Sequence, residues 1–105
     1  MNGPSVTPAD LETEIVSEHF FTAREGRSGA ILAGTYVGRE RPAEDSSDLL
    51  PLSLLTFCVL VLRNGFTVTG ESACVSPENF NAEIGRRIAR EKAIDKLRLR
   101  DRQSK

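Results

Sequence analysis

The sequence holds too few soft ligands for a metal centre of its own: one histidine, His19, and two cysteines, Cys58 and Cys74. These cannot complete a four-ligand zinc site unless carboxylates or a second chain contribute, so no metal or other cofactor is expected. An excess of charge of one sign is also missing. The formal net charge is -1, so no global field draws the chain to nucleic acid or to an anionic membrane. Aromatic residues are not interleaved with basic ones, which argues further against nucleic acid as a partner. The longest apolar stretch, residues 49–62, is broken by Pro51, Ser53 and Thr56 and is too short to span a bilayer. Met1-Asn2-Gly3-Pro4 opens a segment with neither a basic nor an apolar signal region, so the expected location is the cytoplasm of the cell that makes the protein. A phosphate-cradling loop is lacking too, because Gly65 and Gly70 fall in strand-like sequence rather than at a helix start.

What remains is an ordinary globular balance, 39% apolar and 28% charged residues in 105 positions, which suits one domain with a modest core. The pattern predicts an α+β fold: an N-terminal helix, a short antiparallel sheet built on a β-hairpin, and a C-terminal helix packed on that sheet. Residues 1–6 and 99–105 read as flexible tails, and 39–48, Pro-containing and polar, as a mobile loop. Thr7-Pro8-Ala9-Asp10 is a helix start. Leu11, Ile15, Val16 and Phe20 then recur at helical spacing, which predicts a helix over 8–23 stopped by Gly26. In 27–38, alternation at Ile31, Ala33, Thr35 and Val37 among three glycines suggests a short third strand.

The best-specified unit is 55–97. Two β-branched runs, Leu55–Arg63 and Phe66–Ser72, flank Asn64-Gly65, the strongest short-range hairpin signal. A two-residue type I′ turn sets Arg63 opposite Phe66, Val61 opposite Val68 and Val59 opposite Gly70. That register groups Phe57, Val59, Val61, Phe66 and Val68 on one face, and it places Cys58 and Cys74 on opposite faces as unbridged thiols. The first run is apolar on both faces, so it should lie inside the sheet, with the second nearer an edge. Ser76 and Pro77 predict a second helix reaching Leu97. It carries a large strip, Phe80, Ile84 and Ile88, beside a small strip, Ala82, Gly85, Ala89 and Ala93. So small a core, with that small strip, makes a homo-oligomer the expected state.

Polar candidates each carry a plain structural alternative. His19 sits on the apolar side of the first predicted helix and reads as a packed or boundary residue. Glu71 and Ser72 end the hairpin, near enough to Glu78 and Glu83 for paired-carboxylate chemistry if a pocket gathers them, and otherwise form a polar strand edge. Arg86, Arg87 and Arg90 are the most suggestive group. Arg86 and Arg90, one turn apart, suit a clamp on phosphate or carboxylate. Glu83 and Glu91 are spaced to pair with Arg87 on a solvated face. Candidate binding residues are therefore Arg86, Arg87, Arg90, Phe66, Glu71 and Ser72, with no catalytic residue and no enzyme activity expected.

The run from Leu55 to Leu97, including Asn64-Gly65-Phe66, Gly70-Glu71-Ser72-Ala73-Cys74 and Pro77-Glu78-Asn79-Phe80, resembles the tailed-phage small proteins grouped as gene-product forty-nine and gene sixty-six homologues. The resemblance implies phage or prophage origin and a bacterial host cytoplasm, and supplies no catalytic residue. Asn81 stands where those proteins commonly have aspartate. The aromatic continuation they show after the Leu97 position is replaced by Arg98-Leu99-Arg100. Two functions follow as expectations. One is a non-enzymatic accessory protein that binds and blocks a host protein, such as an antiviral defence factor. The other is a small oligomer that sequesters a nucleotide or other anionic signal, using Arg86 and Arg90 with Phe66 or Phe80.

Overall fold

A computed structural model describes residues 8–35 and 46–103. The expected 1–6 tail, most of the 39–48 loop and the last two residues lie outside them. The elements are α1 (Pro8–Glu14), β1 (Ile15–Thr22), α2 (Ala23–Ala33), α3 (Ser46–Ser53), β2 (Leu55–Leu62), β3 (Thr67–Ala73) and α4 (Ala82–Gln103), with a short 3-10 turn at Pro77–Asn79. The sheet is antiparallel in the order β1-β2-β3, and α4 packs on it, so the α+β reading holds.

β2 is the central strand, as its two apolar faces require. The partner that completes it is not 27–38 but β1. Residues 15–22 are therefore a strand, and the single helix expected over 8–23 is divided among α1, β1 and the first residue of α2. Ile15, Val16, Phe20 and Phe21 fit either period, and the vacant side of β2 decides between them, a tertiary demand that overrides local helical spacing. Gly26 and residues 27–33 fall inside α2. That helix is closed at its start by a capping box between Thr22 and Glu25 and at its end by Gly34. A bulge at Val16 shifts the β1 register, so Ile15 faces the same side as Glu18, Phe20 and Thr22.

The hairpin is present, with a different turn. Val61 pairs with Thr67, Leu60 with Val68 and Cys58 with Gly70, one residue away from the expected register. The loop holds three residues, Arg63, Asn64 and Gly65. Gly65 N donates to Leu62 O at 2.8 Å, and Leu62 N donates to Phe66 O at 2.8 Å. Only Gly65, with φ 88°, is left-handed here; Asn64 is not, which excludes type I′ and gives a type I turn closed by a glycine bulge. The slip moves Val68 onto the face of Thr56, Cys58, Leu60 and Leu62. It also removes the face argument against a Cys58–Cys74 bridge. The separation does that work instead: Cys74 N bonds Leu54 O, four residues or about 13 Å along β2 from Cys58, and both thiols are free.

The C-terminal helix starts later than Ser76 predicts. Ser76 makes no side-chain cap, and its hydroxyl donates to Glu78 instead. The α-helix begins after Asn81, whose Oδ1 accepts from Ile84 N at 3.1 Å. Asparagine is among the preferred residues at this capping position. The helix runs on to Gln103, past the end expected at Leu97.

Its buried side is the small strip. Ala89, Ala93 and Leu97 are fully buried and join Leu11, Cys58, Leu60 and Leu62 in the core. Each fully buried leucine contributes about 1.5–3 kcal/mol. The helix backbone lies directly on Gly70: a Cβ there would fall on the Ala89 carbonyl oxygen and 2.5 Å from the Ala93 nitrogen. Gly70→Ala should therefore cost about 3 kcal/mol or more, because both opposing groups are backbone and cannot yield. Gly29→Ala, in α2 with open space around it, should be neutral or stabilising by up to about 1 kcal/mol. Urea unfolding of the two variants tests this, and equal midpoints would refute the close approach.

Candidate functional site

Arg90 pairs with two carboxylates from two other elements. It leaves the β1 side of α4, and its Nε donates to Glu18 Oε1 at 2.9 Å and its Nη2 to Glu18 Oε2 at 2.8 Å. The same Nη2 lies 2.9 Å from Glu12 Oε1. One guanidinium thus joins α1, β1 and α4. The hydrogen bonds from Arg90 hold the Glu18 carboxyl below the usual carboxylate range, against a smaller desolvation effect, and raise the arginine in return. Sequence reasoning missed both partners because a helical 8–23 places Glu18 away from the sheet. Arg90 is therefore engaged by carboxylates, and the expected clamp by Arg86 and Arg90 on one anion is not assembled.

Arg86, one turn earlier, has a different setting. It makes no hydrogen bond or ion pair among the described residues, and it borders a pocket of 340 Å³ with Phe20, Phe21, Phe80, Thr22 and Thr56. The Thr56 hydroxyl is buried without a hydrogen-bond partner and sits against Gly85, where a Cβ would come within 3.0 Å of it. Glu25 also borders this pocket, but its carboxylate accepts from Thr22 N at 2.8 Å in the α2 cap. The pocket therefore offers the Phe20 and Phe80 rings and one cation, a setting for a flat anionic molecule, while the Phe21 ring turns to the Phe57 face of the sheet. Its sequence signal was faint, because Phe20 joins Phe80 only through the β1 pairing.

The remaining candidates are dispersed. Arg87 is exposed. Phe66 is 60% exposed at the hairpin tip, with the Arg100 guanidinium 4.5 Å from its ring centre. Arg100 lies fourteen residues beyond Arg86, about 21 Å along the helix, so Phe66 and Arg86 do not share a site. Glu71 is exposed on the face away from α4, opposite Phe57. Ser72 is on the helix side and borders a groove of 200 Å³ with Ala73, Cys74, Phe80, Ile84 and Ile88. His19 is exposed on β1 and meets Ser17 Oγ at 3.1 Å, so it is not on an apolar helix face. Cys58 is fully buried, and desolvation first, then the charge of Glu18, pushes its thiol up, which disfavours the reactive thiolate.

With this geometry in place, the sequence matches the Phage protein (N4 Gp49/phage Sf6 gene 66) family over residues 6–99. The chain belongs to that family. The match takes in β1 and the helices α1, α2 and α3, well beyond the hairpin and α4, so Glu12, Glu18 and Arg90 all lie within the family region. No curated protein and no solved structure matches the chain. Among the described residues no helix is long and apolar enough to cross a membrane, and no cluster of three or more His, Cys, Asp or Glu is placed to hold a metal ion.

The Glu18 shift has a pH consequence. A carboxyl held low in the folded state contributes stability that is complete above its unfolded value and is lost as pH falls through the folded value. Stability should therefore decline below about pH 4.5, the ordinary glutamate value, and Glu18→Gln should flatten that decline. Arg90→Ala should cost about 1 kcal/mol at neutral pH, since the pair is partly solvated. Urea midpoints between pH 3 and 7 measure both, and an unchanged acid limb in Glu18→Gln would contradict the assignment.

Proposed function

We propose that this phage-family protein works without catalysis, by binding and blocking a host protein in the bacterial cytoplasm, of the kind that defends the cell against phage. The observation that carries the reading is the orientation of α4. Gly85, Ala89 and Ala93 take the sheet, and Ile84, 43% exposed, shares an open groove with half-buried Ile88 and with Phe80 just ahead of the helix. A grouped apolar surface on so small a fold is what a protein contact uses. The charged groups support the same reading in another way. Arg90, Glu12 and Glu18 satisfy one another, Glu25 caps α2 and Glu78 holds Ser76, so these groups serve the architecture.

One observation favours a second reading, a nucleotide or other anionic signal as ligand. Arg86 makes no hydrogen bond or ion pair among the described residues and borders the pocket with Phe20 and Phe80. Self-association into a homo-oligomer is compatible with either reading.

The two separate by experiment. Crosslinking and affinity purification of the full chain from a phage-defended host should recover a stoichiometric host protein, and expressing the chain there should restore phage plating. Failure of both would overturn the first reading. Calorimetry against a panel of mono-, di- and cyclic nucleotides tests the second: heat that disappears in Arg86→Ala supports it, and no heat for any member removes it. Native mass spectrometry of the purified protein reports the oligomeric state directly.

A further inference from the structure

Among the described residues no strand pairs with the outer side of β3, which makes it an open edge. Hydrogen bonds in the β2–β3 ladder run through the even positions, as the Leu62–Phe66 and Leu54–Cys74 bonds show for its two ends. Thr67, Thr69, Glu71 and Ala73 therefore point their N–H and C=O groups outward, and all four residues are exposed. The strand has no proline, no lysine and no bulge, and Glu71 is its single charged residue. The opposite edge differs, since β1 has its bulge at Val16 and charged Glu18 tied to Arg90.

Above this edge runs one flank of α4. Gly85, Ala89, Ala93 and Leu97 face the sheet, and Arg90 leaves on the β1 side. Positions 84, 88, 92 and 96 consequently form the flank over the outer side of β3. The groove that Ile84 and Ile88 share with Ser72 and Ala73 confirms which side that is. The flank is apolar at Ile84 and Ile88, next to the Ala73 end of β3. It is cationic at Lys92 and Lys96, both exposed, towards the Thr67 end. Edge and flank together make a slot for one extended strand.

A second copy of this chain does not fit the slot symmetrically. Because α4 sits directly on Gly70, pairing β3 with its own twofold mate would bring two α4 axes to about 5 Å, the strand spacing, where packed helices need about 8–10 Å. A single strand without a helix above it has no such clash.

We infer that β3 and α4 capture an extended segment of a partner protein as a fourth, antiparallel strand. This inference rests on the protein-binding reading and names its surface and the chemistry of the segment. The captured strand places a large apolar side chain in the 200 Å³ groove at Ile84 and Ile88 and an acidic side chain against Lys92 and Lys96. The centres of those two pairs are eight helical residues apart, about 12 Å, which matches about four residues of strand. Antiparallel to β3, the segment reads apolar residue, three of any type, then Asp or Glu. The backbone bonds supply affinity, and the two side chains supply choice of sequence.

The test is a random-peptide display selection on the purified full-length chain, followed by hydrogen exchange with a synthetic peptide of the selected pattern. The selection should enrich an apolar residue followed four positions later by an acidic one. The peptide should slow amide exchange at residues 67, 69, 71 and 73. Thr69→Pro removes one outward N–H while sparing the β2 ladder, and Ile84→Asp spoils the apolar end at an exposed site. Each should weaken the peptide by about tenfold or more, the equivalent of about 1.4 kcal/mol. Lys92→Glu with Lys96→Glu should shift the selected acid to a base, and Arg86→Ala should change nothing. No enriched peptide, peptides lacking the pattern, or unchanged binding in both Thr69→Pro and Ile84→Asp would overturn the inference. A host partner retained by both of those variants would sink this surface while leaving the broader reading intact; peptide capture with no host partner would do the reverse.

Discussion

The contact between the α4 backbone and Gly70 is the constraint on which most of this structure depends. A helix rests that low on a sheet only if its own facing residues are small and the strand beneath lacks a side chain at the crossing. Gly70 supplies the second condition, and Gly85, Ala89 and Ala93 supply the first. Once the small strip is spent on the sheet, helical geometry dictates the rest. Residues one step back, Ile84, Ile88, Lys92 and Lys96, flank β3; residues one step on, Arg86, Arg90 and Ile94, flank β1. The close approach thus decides what each side of the molecule exposes, without any of those side chains taking part in it.

The second requirement comes from β2. A strand apolar on both faces needs cover above and below and a neighbour on each side. α4 covers Thr56, Cys58, Leu60 and Leu62. On the other face, Phe57 meets Phe21 with ring centres 5.9 Å apart, and α2 passes close enough for Gly26 to stand beneath the Phe21 ring. β1 fills the remaining side, and Arg90 fastens it to the helix through Glu18. Arg63 performs a similar service at the hairpin tip. Its Nη2 donates to Thr13 O at 2.6 Å and its backbone N to Glu14 O at 2.8 Å, placing a cation at the end of α1 where carbonyls would otherwise be unpaired. The first short helix is held by these long-range bonds, not by its own seven residues.

The features legible in the sequence are those whose signal is local. Asn64-Gly65 announces the hairpin and the β-branched runs announce β2 and β3, because propensity and turn chemistry agree there. The register was off by one because Asn-Gly serves both a two-residue turn and a three-residue loop closed by a glycine bulge, and only the backbone distinguishes them. Ser76-Pro77 imitates a helix start convincingly, yet Asn81 does the capping, since the intervening Phe80 is extended with ψ 131°. The 15–22 strand was illegible for another reason. Its spacing satisfies a helix, and the demand that makes it a strand lies forty residues further on. Even so, Thr22-Ala23-Arg24-Glu25 is a capping box visible in the sequence, and it marks a helix beginning just where the longer helix was expected to end.

The same distinction separates the two arginines that sequence spacing places together. Arg86 and Arg90 are one turn apart, and as a helix surface they are equivalent. The N-terminal segment makes them different, because Glu12 of α1 and Glu18 of β1 arrive beside Arg90, while Phe20 of β1 shares a pocket with Arg86. One cation fastens β1 to the helix and the other borders a pocket, and neither setting follows without residues 15–22 lying along β2. The hairpin and α4, where the family likeness is plainest, therefore do not define the surface by themselves. Their β1 side is shaped by the N-terminal half of the chain, whereas the β3 side is shaped by β3 and α4 alone. Of the two, the β3 side is the surface whose chemistry follows directly from the most strongly specified sequence, and changes in the N-terminal half leave it least disturbed.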